Sequence, residues 1–128
     1  LFEKLRILGI NLLKFGLSDD GIALRRSVFV FPNIGAKGKD VYDRAMRSVL
    51  GDIAGLIETA ISDGVLIKSD PWCAAKQLLS LFELDLVNRR LLCIDKCIDI
   101  KKIEQCIDQG LAIFDSYYSV KSGSSSYL

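Results

Sequence analysis

Four cysteines, one carboxylate–guanidinium pair and a set of aromatic and thioether side chains are the groups in this sequence that could do chemistry. Cys93 and Cys97 are separated by three residues, with Cys73 upstream and Cys106 downstream. Zinc knuckles place paired thiolates two residues apart and need a second pair; neither condition is met. The chain contains no His, which removes imidazole ligands, imidazole bases and any triad built on them. Ser and Cys are then left without a base to activate them, so the sequence argues against an enzyme. The thiols are expected to be reduced, metal-free structural groups. No cofactor is implied.

Phe29, Tyr42, Met46, Trp72 and Phe82 are large apolar groups that could line a cavity, with Gln77 as a polar orienter. Small-molecule sites are mostly apolar with a few placed polar groups, and this set suits one; its alternative is plain core. Asp85 and Arg89 stand four residues apart, which permits an ion pair on one helix. Such a pair either fixes register at a dimer interface or is partly exposed and worth little. Gly51 and Gly55, also four apart, point to close helix packing rather than to ligand room.

These groups need a scaffold, and helical periodicity supplies it nearly from end to end. Phe2, Leu5, Leu8, Leu12 and Phe15 recur at three and four residues, and Gly16 is a stop signal. Ser18 can cap a second helix carrying Ile22 to about Val30, which must end before Pro32. The longest stripe, Tyr42, Met46, Val49, Ile53, Ile57 and Ile61, lies in a segment from about Lys39 to Asp63 closed by Gly64. Asp70-Pro71 starts a helix expected to run to about Cys93. A last helix is expected from Asp99 to about Tyr118, with Ile98 and Ile103 as a hydrophobic staple. The class is all-α, an antiparallel bundle of five to six helices over residues 1–120, followed by a flexible Ser/Gly-rich tail at 121–128.

Charge and hydropathy narrow the function. The 128 residues hold 17 Lys and Arg against 16 Asp and Glu, interleaved rather than clustered, which is not the basic face of a DNA binder. No charge-free apolar run is long enough for a membrane span. Leu1 to Phe15 carries spaced charges and no cleavage site, so it reads as an amphipathic helix rather than a signal peptide; with Leu in first place, the chain is expected to continue upstream.

The helix after Pro71 presents an apolar arc wider than a surface helix needs, and Gly110 sits inside the last helix, where glycine costs about 1 kcal/mol relative to Ala. Together they suggest that the last two long helices form a homodimer interface, with Leu79, Asp85, Leu86, Arg89, Ile103, Ile107, Gly110, Phe114 and Tyr117 as its candidate residues. The alternative is a large monomeric core.

The order of local motifs resembles the C-terminal domain of TetR/AcrR-type transcriptional regulators, nearest the AefR-like group. Those motifs are Ala23-Leu24-Arg25-Arg26, Phe31-Pro32-Asn33-Ile34-Gly35, Val41-Tyr42-Asp43, Asp63-Gly64-Val65-Leu66, the run Ser69-Asp70-Pro71-Trp72-Cys73-Ala74-Ala75-Lys76-Gln77-Leu78-Leu79-Ser80-Leu81, and Arg90-Leu91-Leu92. The likeness covers about residues 18 to 118. One departure is Ser27-Val28-Phe29-Val30, where relatives carry about one more helical turn. The resemblance implies a cytoplasmic repressor whose N-terminal helix-turn-helix domain, outside this chain, reads operator DNA. It further implies that residues 1–16 link that domain to a dimerising domain controlled by an apolar or amphipathic small-molecule effector. The rival reading is a helical dimerisation module, acting through protein contacts, with no such ligand.

Overall fold

The described residues form six helices: α1 (Phe2–Gly16), α2 (Asp19–Val30), α3 (Ala36–Ser62), α4 (Pro71–Glu83), α5 (Leu86–Leu91) and α6 (Ile100–Tyr118). The computed structural model describes residues 1–30 and 36–121, with side chains for 1–28 and 38–121. Among the described residues there is no strand beyond one antiparallel bridge, Leu66 to Ser119. The all-α expectation is met, while the 121–128 tail lies almost wholly outside the described residues.

Local sequence explains most helix ends. Ser18 Oγ accepts a hydrogen bond from Gly21 N at 3.1 Å, opening α2. A Cβ on Gly21 would sit 2.1 Å from Phe15 O, so the α1–α2 corner admits only glycine there. Gly64, at φ 75°, closes α3 in the left-handed region, with Val65 N bonded back to Ala60 O at 2.9 Å. Asp70 accepts from Trp72 N at 3.0 Å ahead of Pro71. Asp99 accepts from Lys101 N and Lys102 N at the start of α6.

One element departs from the sequence expectation. The helix that begins at Pro71 does not reach Cys93 but breaks at Leu84, whose φ is 43°. Ala74, Ala75, Leu78 and Phe82 form its buried stripe, and an unbroken helix would continue that stripe through Asp85 and Arg89. Buried charge is costly unless paired. The break turns Asp85 to solvent and lets α5 bury Leu86, Val87 and Arg90 instead.

The core lies where α4 packs against α6 and α3, with α1 laid across α4 and α6. At its centre the ring of Phe82, fully buried, fits between two glycines. A Cβ on Gly9 of α1 would come within 2.6 Å of Phe82 Cε2, and one on Gly110 of α6 within 2.9 Å of Phe82 Cδ1 and 3.3 Å of Leu81 Cβ. The close approach expected at Gly110 is therefore real, but its partner is α4 of the same chain rather than a second subunit. Gly51 and Gly55, by contrast, face open space, so the expected close packing at that pair does not occur.

These environments separate the glycines in a measurable way. Gly9→Ala is expected to lower stability by about 1–3 kcal/mol through overpacking against Phe82. Gly55→Ala should raise it by up to about 1 kcal/mol, through helix propensity alone. Urea denaturation followed by circular dichroism checks both; a neutral Gly9→Ala would refute the three-helix junction.

Candidate functional site

Helical spacing on α3 puts Tyr42 and Met46 on one edge, with Asp43 and Arg47 beside them; on α4, Trp72 and Lys76 are likewise one turn apart. The two edges enclose a groove of about 290 Å3 lined by these six residues. Tyr42 is 53% and Trp72 38% exposed, so both rings form its walls while reaching solvent. Lys39 donates to Asp43 at 2.8 Å and holds its carboxyl below the usual aspartate range. Three of the six expected pocket residues, Tyr42, Met46 and Trp72, thus meet in one place.

The other three do not join them. Phe82 is the core ring between Gly9 and Gly110, not a pocket wall. Gln77 points to a different face of α4, where its Oε1 accepts from the Tyr118 hydroxyl and its Nε2 lies 3.7 Å from Cys73 Sγ. The side chain of Phe29 lies outside the described residues. Asp43, Arg47 and Lys76 belong to the groove and were not singled out in the sequence. Their signal was their position one residue from Tyr42 and Met46, or one turn from Trp72.

The residues expected at a dimer interface divide sharply. Leu86, Ile103, Ile107, Gly110 and Phe114 are buried within the chain's own core, so they have no surface left for a partner. Leu79 is half-buried, while Asp85 and Tyr117 are exposed. The expected Asp85–Arg89 pair is replaced, because Arg89 donates to both oxygens of Asp95, at 2.8 and 3.1 Å. This bond keeps the Asp95 carboxyl below its ordinary range.

Three large apolar side chains stay at the surface here: Leu84, just past the end of α4, is 57% exposed, and Ile113 and Tyr117 on α6 are 55% and 67% exposed. Cys73, Lys76, Gln77, Ser80 and Leu81 line a shallow trough of about 440 Å3 along α4. Tyr118, stacked on Phe114 with centroids 4.5 Å apart and bonded to Gln77, sets the register of the two helices.

A buried cation organises the opposite end. Arg90, 8% exposed, donates from Nε to Leu17 O at 2.8 Å, from one terminal nitrogen to Asp19 Oδ1 at 2.9 Å, and from the other to Asp95 O at 3.3 Å. Nearby, Arg26 donates to Leu91 O at 2.9 Å, and Arg25 reaches Glu83 at 3.3 Å. Burial pushes the Glu83 carboxyl up, with Arg25 acting against it. All four thiols are free; Cys73, Cys93 and Cys97 are exposed and Cys106 is partly buried, so burial does not hold the first three in a structural role.

Among the described residues, no group of three or more Cys, Asp or Glu is placed to hold a metal ion, and no helix is long and apolar enough to cross a membrane. Residues 3–120 match the family of AefR-like transcriptional repressor C-terminal domains. The fold is similar to that of a flavonoid-responsive regulator, FrrA, with a TM-score of 0.83 at 24% sequence identity. That match covers 94% of this chain and 62% of the other, so the chain spans less than two thirds of that regulator's length. No curated protein matches the sequence significantly.

Two substitutions test the charged end. Arg90→Met strands the Leu17 and Asp95 carbonyls and is expected to cost about 1–3 kcal/mol. Asp19→Asn, whose carboxylate is almost fully exposed, should cost no more than about 1 kcal/mol; equal losses would contradict the burial-based ranking. Glu83 carries a pH sign. Its folded form keeps the proton to higher pH than the unfolded chain, so its contribution is lost as pH rises through the raised folded pKa. Glu83→Gln should therefore gain on the parent as pH rises above the ordinary glutamate range, seen as a melting-temperature difference that widens with pH and levels off once Glu83 has ionised in the folded state.

Proposed function

We propose, from the premise that this chain belongs to the AefR-like family of TetR-type regulator C-terminal domains, that it is the effector-binding and dimerisation part of a transcriptional repressor. The observation that carries the reading is the large apolar side chains left at the surface of α6 and at the end of α4, Ile113 and Tyr117 at 55% and 67% and Leu84 at 57% exposed. A second copy packed there would cover them. Two copies related by a two-fold axis would bring α4 and α6 of each into a four-helix bundle. Residues already spent on the protomer's core, such as Ile107 and Phe114, then support the interface from behind without touching the partner.

The effector would enter the α3–α4 groove. Two aromatic walls, a thioether and the flanking Asp43, Arg47 and Lys76 suit a planar, partly polar molecule, and the similar fold of FrrA belongs to a flavonoid-responsive protein. DNA reading is assigned to a domain outside these residues, since a formal charge of +1 gives them no basic face. In the full protein, the effector would weaken operator binding.

Light scattering tests the assembly. The 14.2 kDa chain is expected to run at about twice that mass at high micromolar concentration. Ile113→Asp should return it to a monomer with helical content unchanged, whereas a monomeric parent would overturn the interface. Trp72 is the only tryptophan, so a flavonoid that binds in the groove should quench intrinsic fluorescence saturably, and Met46→Arg should abolish the effect. A dimer with no quenching by any aromatic effector would favour the rival, a dimerisation module without a small-molecule ligand.

A further inference from the structure

A second groove, about 370 Å3 and half open, lies where the end of α1 meets α5 and the loop leading into α6. Nothing proposed above uses it. We propose that it is a binding site for an amphipathic monocarboxylate, with the hydrocarbon body on its apolar wall and the carboxylate at Lys96 and Lys102. The apolar surface of the wall is that of Ile94 and Ile98, which are 55% and 36% exposed, backed by the buried Leu17, Leu86 and Ile103. Two half-solvated isoleucines on a short loop leave apolar surface that a hydrocarbon chain would cover.

The charges specify the head group. Asp95 is occupied by the two bonds from Arg89, and Asp99 by the backbone N–H groups that it caps. Arg90 is engaged through all three of its nitrogens, by Leu17 O, Asp19 and Asp95 O. Among the described residues, neither Lys96 nor Lys102 has a salt-bridge partner, although both line the groove. With the Arg89–Asp95 and Arg90–Asp19 pairs neutral, two lysines less Asp99 leave one positive charge. A single carboxylate balances that charge; a phosphate dianion would exceed it. The volume lies near the lower end of small-molecule sites, which run from about 300 to about 1,000 Å3, and so admits one short chain or one ring system rather than a two-chain lipid.

Such a ligand would rest on Leu17 and beside Arg90, against the segment that fixes the end of α1. It is distinct from the aromatic groove, since none of the residues around Trp72 takes part.

Calorimetric titration of the 128-residue chain with decanoate, below its micellar concentration, tests the site. Saturable binding is expected, with decanol of the same length at least about tenfold weaker, because a hydrogen bond to a charged group exceeds the free energy of a factor of ten. The K96Q/K102Q double variant, altered only at solvent-exposed positions, should melt at the parent temperature and lose affinity by about tenfold or more. Ile98→Ser should weaken binding while leaving the preference for acid over alcohol, whereas Met46→Arg should change nothing. No heat at about 1 mM, equal affinity for decanol, an unaffected double variant, or loss of binding in Met46→Arg would each overturn the proposal.

Discussion

Arg90 is the interaction on which the arrangement depends. A helix ends with carbonyls that lack partners within the helix, and the last of α1 falls on Leu17, which is itself 4% exposed. The guanidinium supplies the missing donor there, reaches the first turn of α2 through Asp19, and fastens the loop before α6 through Asp95 O. The α1–α2 corner, some seventy residues upstream, and the loop before α6 meet at one planar group whose five donors lie in a fixed fork. A lysine could satisfy one of these acceptors at a time with a flexible point charge. The fork is what sets the position of α1 against both α2 and the start of α6.

Arg90 can point inward only because the chain breaks at Leu84. Both ends of α5 are flanked by left-handed residues, Leu84 at φ 43° and Cys93 at φ 59°, which cost on the order of 1–3 kcal/mol each. Burying Leu86 and Val87 stabilises by about 1.5–3 kcal/mol each, which no more than offsets that strain. The balance is tipped by charge. A continuous helix would drive Asp85 into the Leu78–Phe82 stripe, and an unpaired buried carboxylate costs several kcal/mol. With the break, Asp85 is solvated, Arg89 pairs with Asp95 at the surface and Arg90 replaces both in the interior.

This explains how much could be read in the sequence. The ends set by a local group were legible: Ser18, Gly64, Asp70-Pro71 and Asp99 all act within a few residues of themselves. The Leu84 break was not, because no Gly or Pro marks it and its cause is a conflict with a core formed by other helices. Periodicity also grouped Ile103, Ile107 and Phe114 on one face, yet it cannot say whether the chain's own α1 and α4 or a second subunit covers that face. Gly110 illustrates the same limit, since the need for close approach was visible and the identity of the neighbour was not. Gly9 meets the same ring from the other side, and nothing in its local sequence marks it. Tyr42, Met46 and Trp72 came together because each lies at an outward edge near a helix start; Phe82 and Gln77 share their chemistry but sit on other faces of α4.

That α4 carries all of these faces has a mechanical consequence. Trp72 and Lys76 line the aromatic groove, Gln77 bonds Tyr118 of α6, and Phe82 is seated between the backbones of α1 and α6. A side chain resting on flexible neighbours can shift alone. A ring held between two glycines meets main chain on both sides and has close-packed surroundings with little free volume. Under the proposed function, an effector that displaces α4 at Trp72 cannot do so while leaving α1 in place, because Phe82 would have to move through Gly9 or Gly110. Under the same proposal, with the Arg90 fork holding the far end of α1, a displaced α1 would break the Arg6 bonds to Asp108 and Glu104 and pivot about Leu17. A pivot moves the opposite end most, and that end is Leu1, where the linking helix would meet a DNA-reading domain.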